Sequence, residues 1–221
     1  VTESAPAIVT SLVLALVAFG LGMAVGPRWL RFLKTSEMGK QLNPSEPEEH
    51  AHKEGTPTMG GVVFFFPFVA VTLAFQVLAG GQTRLLLPLL IACALAILGA
   101  VDDSQTLIGR ERSAGLSPRI KWAVQIVLGL VTAGTLVWLG EATLRLPFAG
   151  PLTVPAWLYV PLAAFVFVAT TSSVAITDGM DSLVATTGAI AVSAFGVIAL
   201  WQGDGATGAL AATMAGALLA Y

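Results

Sequence analysis

Charge is what this chain has least of. Lys, Arg, Asp and Glu make up 11% of its 221 residues, against about 25% in soluble domains. Hydrophobic residues make up 56%, and the mean hydropathy is +0.83. A water-soluble globule is a poor reading of such a composition. Cysteine is nearly absent as well. The single Cys93 excludes an intrachain disulfide, and its place inside an apolar run predicts a buried, inert thiol. The net charge of −2 says little about partners, and no nucleic-acid partner is expected. The placement of the few charges says more.

Seven apolar runs stand out: Ala5–Val25, Met59–Ala79, Leu85–Val101, Ile120–Leu139, Val154–Ile176, Leu183–Trp201 and Ala206–Tyr221. A membrane helix needs about 20 such residues. Period-two alternation over ten residues is rare in them, which argues against an outer-membrane barrel. The predicted fold class is all-α, a polytopic transmembrane helical bundle. The first run has the look of a signal peptide, but no basic segment precedes it, and it is long for that purpose. Arg28, Arg31 and Lys34 follow it. It reads as a true first span.

The basic residues predict orientation. Arg28, Arg31, Lys34, Lys40, Lys53, Arg110, Arg112, Arg119 and Lys121 fall on one side of the predicted membrane, leaving Arg84 and Arg145 on the other. The positive-inside rule makes the first side cytoplasmic and puts the N-terminus outside. Three polar segments then converge on the cytoplasmic face, where a binding or active site is expected at the helix ends.

The first is Gly55-Thr56-Pro57-Thr58-Met59-Gly60-Gly61, preceded by His50, His52 and Lys53. Glycine-freed amides, two hydroxyls and a lysine before a helix suit phosphate oxygens. The plainer alternative is a loop-to-helix turn with glycines for close packing. His50 is weighed as a ligand against a solvated loop histidine, and His52 is less informative still. The second segment is Asp102-Asp103, at the end of the third run. A carboxylate at mid-bilayer costs about 2.5–3.5 kcal/mol on insertion scales, and a helix C-terminus disfavours anions. A pair kept in such a place points to a divalent cation. Magnesium typically takes one or two carboxylates plus substrate phosphates.

Lys121 and Gln125 share one helix face at i and i+4. There the lysine meets an anionic substrate or merely snorkels to the interface. The third segment is Thr177-Asp178-Gly179-Met180-Asp181-Ser182. Asp181 or Ser182 is expected to cap the next helix, with Asp178 facing the site.

At these residues the chain resembles the polyprenyl-phosphate N-acetylhexosamine-1-phosphate transferases, most closely the phospho-N-acetylmuramoyl-pentapeptide transferase branch. The resemblance rests on PEEHAHKEGTPTMGG (Pro47–Gly61), the aspartate pair, Gly115-Leu116 with Lys121 and Gln125, and TDGMDSL (Thr177–Leu183). It implies transfer of phospho-N-acetylmuramoyl-pentapeptide from its UDP-sugar to undecaprenyl phosphate, giving lipid I and UMP. It further implies Mg2+ as cofactor, a multi-pass place in the bacterial plasma membrane with a cytoplasmic site, and a homodimer. Carried over, Asp102 and Asp103 serve the metal and the attacking lipid phosphate, one of them as a candidate base. Lys53, Thr58, Asp178 and Asp181 contact the nucleotide.

Departures accompany the likeness. The family's asparagines before the TDG turn are Ser172 and Ala175 here. Its glycine after the second aspartate is Ser182, and a lysine after the aspartate pair is Thr106. The family has about ten spans of about 20 residues each, so residues 1–221 are expected to be the N-terminal part of one integral-membrane transferase domain. The main metal aspartate is then expected beyond Tyr221, and the fragment alone is expected to be inactive. Three other readings compete: a related transferase for another cell-surface glycan, a pseudoenzyme suggested by Ser172 and Ala175, and an ion-coupled transporter. The transporter reading predicts charges near mid-membrane, whereas these acids cluster at one face.

Overall fold

A computed structural model describes residues 4–35, 59–81, 83–108, 115–146, 150–177 and 182–221. Seven α-helices account for most of them: α1 (Ser4–Thr35), α2 (Val62–Leu78), α3 (Leu86–Ile108), α4 (Pro118–Trp138), α5 (Ala156–Thr177), α6 (Leu183–Trp201) and α7 (Gly205–Leu219). A 3-10 turn, Thr83–Leu85, leads into α3. The membrane-type helical bundle expected from composition is therefore what forms. Five helices are long and apolar enough to cross a bilayer, while α2 and α7 are apolar but shorter, at 17 and 15 residues.

The exposed surface fits that reading. Leu16, Val77, Leu90, Phe165, Ile190 and Phe195 all lie open, as side chains facing lipid do. Tryptophans Trp29, Trp122, Trp138, Trp157 and Trp201 all lie near helix ends, the level at which amphipathic rings anchor a bilayer interface.

Some boundaries differ from the sequence expectation. Helix α1 runs to Thr35, through Pro27, so Arg28, Arg31 and Lys34 lie on its last turns and not in a loop. Proline there removes one backbone donor. Nearby, Arg28 donates to the Ala24 carbonyl at 2.5 Å, and Arg31 donates to Pro27 at 3.2 Å. Lys34 sits in the final turn, where the helix dipole favours a cation. A two-stranded antiparallel hairpin, β1 (Thr143–Leu146) and β2 (Gly150–Thr153), also joins α4 to α5. Its strands are four residues each, too short for the apolar-run reading to register.

The chain forms two compact units, residues 1–115 with 180–221, and residues 116–179. In the first, α7 is the central helix, packed on α1, α2 and α6. Its sequence, GATGALAATMAGALL, is almost all small residues. Small residues let helix backbones approach closely in lipid, where van der Waals packing drives association. A Cβ at Gly216 would collide with the backbone of Ala15 in α1, and one at Gly208 would lie 2.6 Å from Leu200 in α6. Gly22 of α1 is likewise closed, 2.5 Å from the Ala220 Cβ. The core beside this contact is Ala18, Phe68, Val71, Leu89 and Ala217, with half-buried Cys93 packed against it. In the second unit, α4 and α5 pair through Gly129, whose Cβ would lie 3.2 Å from the Ala164 backbone.

The N-cap of α6 is Ser182, but its side chain makes no capping bond, which corrects half of the capping expectation. Its φ is +63°, in the left-handed region that costs a residue with a Cβ about 1–2 kcal/mol. Glycine occupies that region freely.

Three stability changes follow. Gly216→Ala lowers the melting temperature in detergent, at a cost of about 1–3 kcal/mol from overpacking. Gly20→Ala, where a Cβ meets nothing within 4 Å, leaves it unchanged or raises it, since alanine is the better helix former. Ser182→Gly relieves the left-handed strain and stabilises the fold by about 0.5–1 kcal/mol. The same thermal melts check all three.

Candidate active site

The aspartate pair is not at a helix terminus. Helix α3 continues to Ile108, so Asp102 and Asp103 lie on its body. The penalty from the last turn's dipole is therefore smaller than the sequence suggested. Neighbouring residues on a helix are about 100° apart, so the two side chains leave α3 in different directions. Both are half-buried.

Asp103 turns toward the start of α2. The Met59 backbone N–H donates to Asp103 Oδ2 at 2.9 Å. The same residue is held from its other side: the Trp29 indole N–H, from α1, donates to the Met59 carbonyl at 3.1 Å. Met59 has φ +63°, an uncommon conformation for a residue with a long side chain. Three separate stretches of chain, near residues 29, 59 and 103, thus meet at one peptide segment.

The glycines after Met59 serve packing. A Cβ at Gly60 would lie 2.8 Å from the Tyr221 hydroxyl oxygen, and the Tyr221 ring stands edge-on to Phe64 at 5.8 Å. Val63 donates to Gly60 at 3.0 Å and Phe65 to Gly61 at 3.0 Å, while Met59 donates to Asp103. Of residues 59–61 in the Gly55–Gly61 segment, Met59 thus has its N–H held by Asp103, while the Gly60 and Gly61 carbonyls accept the first helical bonds of α2. Residues 55–58 of that segment lie outside the described residues, as do Lys53, Thr58, His50, His52, Asp178 and Asp181.

In the second unit, Lys121 and Gln125 lie one turn apart on α4, both half-buried. The Ser172 hydroxyl of α5 donates to Gln125 Oε1 at 3.2 Å. Ser172, one of the departures from the family pattern, is thus a helix-pairing contact here. Ala175, the other, is exposed.

Among the described residues no group of three or more His, Cys, Asp or Glu side chains is placed to hold a metal. The two carboxylates nevertheless fit magnesium in kind. They are hard oxygen donors, and that ion usually draws the remainder of its shell from water and substrate phosphates.

Sequence reading missed Trp29, and took Met59 only as a member of the Gly55–Gly61 segment without its contact to Asp103. No periodicity links positions 29, 59 and 103. The one available signal was a tryptophan close behind basic residues at a helix end. Reading also missed a cavity of 620 Å3 at the other end of the first unit, lined by residues that include Thr10, Phe75, Arg84, Gln202 and Asp204. It lies by the start of α1 and the end of α2, away from the Asp103 contact.

Comparison with known proteins bears on these same residues. Residues 85–221 match the glycosyl transferase family 4 model. Residues 53–65 match phospho-N-acetylmuramoyl-pentapeptide-transferase signature 1, a stretch that includes the Met59 turn. A phospho-N-acetylmuramoyl-pentapeptide-transferase of Chloroflexus aurantiacus is 33% identical over 196 residues, covering 85% of this chain and 52% of that protein. One from Moorella thermoacetica is 36% identical over 201 residues, covering 90% and 62%, and one from Shouchella clausii is 32% identical over 218 residues, covering 96% and 66%. The chain thus spans between about half and two thirds of the length of these relatives. With the family model matched across more than half of its residues, the aspartate pair of α3 among them, the chain belongs to glycosyl transferase family 4.

Proposed function

We propose that this chain is part of a membrane phosphoglycosyl transferase that moves phospho-N-acetylmuramoyl-pentapeptide from UDP to undecaprenyl phosphate. The observation that carries the reading is the meeting of two sequence features. The segment matching the transferase signature, residues 53–65, is joined through Met59 to Asp103 of the aspartate pair. Relatives sharing about a third of their residues bear that transferase name.

In the proposed reaction, a phosphate oxygen of undecaprenyl phosphate attacks the β-phosphorus of the nucleotide sugar. The bond from that phosphorus to the bridging oxygen breaks, and UMP leaves with the electron pair. The products are lipid I and UMP. Such transfers depend on positioning and on neutralising charge. Bound Mg2+ supplies neutralisation of the diphosphate, held by Asp102 and Asp103. The chain's own residues orient the reactants. Lys53, Thr58, Asp178 and Asp181 contact the nucleotide, and Lys121 meets an anionic group of substrate or lipid. One carboxylate of the pair serves the attacking lipid phosphate, with a base role as the alternative.

The proposed setting is the bacterial plasma membrane, with the N-terminus outside and the site facing the cytoplasm, as the basic residues favour. A homodimer is proposed from the family resemblance, and residues 1–221 are taken as one integral-membrane transferase domain.

The test is UMP release by the full-length protein in detergent, with undecaprenyl phosphate and the UDP-sugar pentapeptide. Chelation with EDTA should abolish release, and added Mg2+ should restore it. Asp102→Asn should lower kcat about 10²–10³-fold, the scale seen when one charge-stabilising group is removed, with membrane insertion and melting unchanged. Near-normal turnover in that variant would remove Asp102 from the site.

A further inference from the structure

Met59 is over-determined. Its φ of +63° is one that a side chain disfavours, and no glycine stands there to make it easy. Both of its backbone polar groups are held by side chains distant in sequence. Asp103 takes the N–H at 2.9 Å, across 44 positions, and Trp29 takes the carbonyl at 3.1 Å, across 30. Neither bond belongs to a helix ladder. Unfavourable backbone conformations persist where the surroundings enforce them, and they cluster at functional sites.

We propose that Trp29 and Asp103 form a clamp on the Met59 peptide units that fixes the entry into α2 for nucleotide-sugar binding. Trp29 is then a positioning residue, acting through Met59 without touching substrate. Asp103 has two duties, because Oδ2 accepts the Met59 N–H in addition to whatever the carboxylate does for the reaction. The clamp rests on the proposed function above only for its link to the nucleotide sugar.

The chemistry separates the parts. Trp29→Phe keeps an aromatic ring beside Phe32, now 5.5 Å from Trp29, and removes only the indole donor and its ring. Asp103→Ala removes the acceptor. Asp103→Asn keeps an acceptor oxygen and removes the charge. Amide hydrogen exchange at Met59, followed by mass spectrometry on the full-length protein in nanodiscs, reads the clamp directly. A lost hydrogen bond of ordinary strength changes an equilibrium about three- to tenfold. Exchange at Met59 should therefore rise about three- to tenfold in Trp29→Phe and in Asp103→Ala, with the interior amides of α2 unchanged. Asp103→Asn should retain protection.

Steady-state UMP release supplies the second arm. Trp29→Phe should raise KM for the nucleotide sugar about three- to tenfold and leave KM for undecaprenyl phosphate unchanged. Met59 exchange that is the same in Trp29→Phe, Asp103→Ala and the unsubstituted protein would overturn the clamp. Faster exchange with an unchanged nucleotide-sugar KM would overturn its positioning role. Absence of UMP release by the unsubstituted protein would overturn the reaction instead, and the exchange arm would still decide the clamp. If Trp29→Phe fails to fold, the contrast between Asp103→Ala and Asp103→Asn decides it.

Discussion

Helix α7 leaves no space for side chains where it meets α1. Gly216 lies directly on the backbone of Ala15, and Ala217 is fully buried beside Ala18 and Phe68. Thr213 is buried in the same helix and returns its hydroxyl to the Ala209 carbonyl at 2.7 Å, whereas the buried hydroxyls of Ser11 in α1 and Thr72 in α2 have no protein partner among the described residues. In lipid, apolar surface offers no hydrophobic gain on helix pairing, and close backbone contact supplies the attraction instead. The rest of the first unit depends on this contact. It fixes α1, and therefore where Trp29 reaches near the end of that helix. It also brings the end of α7 to the start of α2, where Tyr221 covers Gly60.

From that packing the site acquires its geometry. Trp29 comes from α1, Met59 precedes α2 and Asp103 sits on α3. A carboxylate taking a backbone N–H makes a charge-assisted hydrogen bond, stronger than a neutral one. Placed in a half-buried position, it also offsets part of the desolvation cost of keeping the carboxylate ionised. The left-handed Met59 is the local expense of this arrangement, and two tertiary hydrogen bonds hold it. Asp102 lies about 100° round the helix from Asp103.

Much of the architecture was legible in the residue order. The run Leu183–Trp201 became α6 without change, and Ile120–Leu139 and Val154–Ile176 became α4 and α5 within two residues at each end. Apolar length is a one-dimensional property, so it survives being read along a string. The end of α1 was misread because Pro27 and three basic residues signal a loop, whereas a helix end near an interface tolerates all four. The aspartates were misread as a terminus because polarity was taken for the end of a helix. The hairpin between α4 and α5 was missed because its strands are short. The chemistry of Asp102 and Asp103 in the first unit, and of Lys121 and Gln125 in the second, was visible as residue type. The Ser172–Gln125 bond was not, since it depends on how α4 and α5 are rotated against each other.

The sequence by itself determined the class of molecule and the chemistry available to it. Scarce charge and repeated apolar runs require helices in a bilayer, because no other open backbone satisfies its hydrogen bonds there. The paired carboxylates and the signature segment carried the likeness to a transferase family. Only the tertiary structure decided which atoms of those residues face one another. It gave Asp103 a backbone partner, bent Met59 into a left-handed turn, and recruited Trp29 from α1, a residue that sequence reading had not singled out. The physical reason is the difference in range. Burial and hydrogen-bonding needs act on each segment alone, whereas a contact across 44 residues exists only once close packing has fixed the helices that carry its two ends.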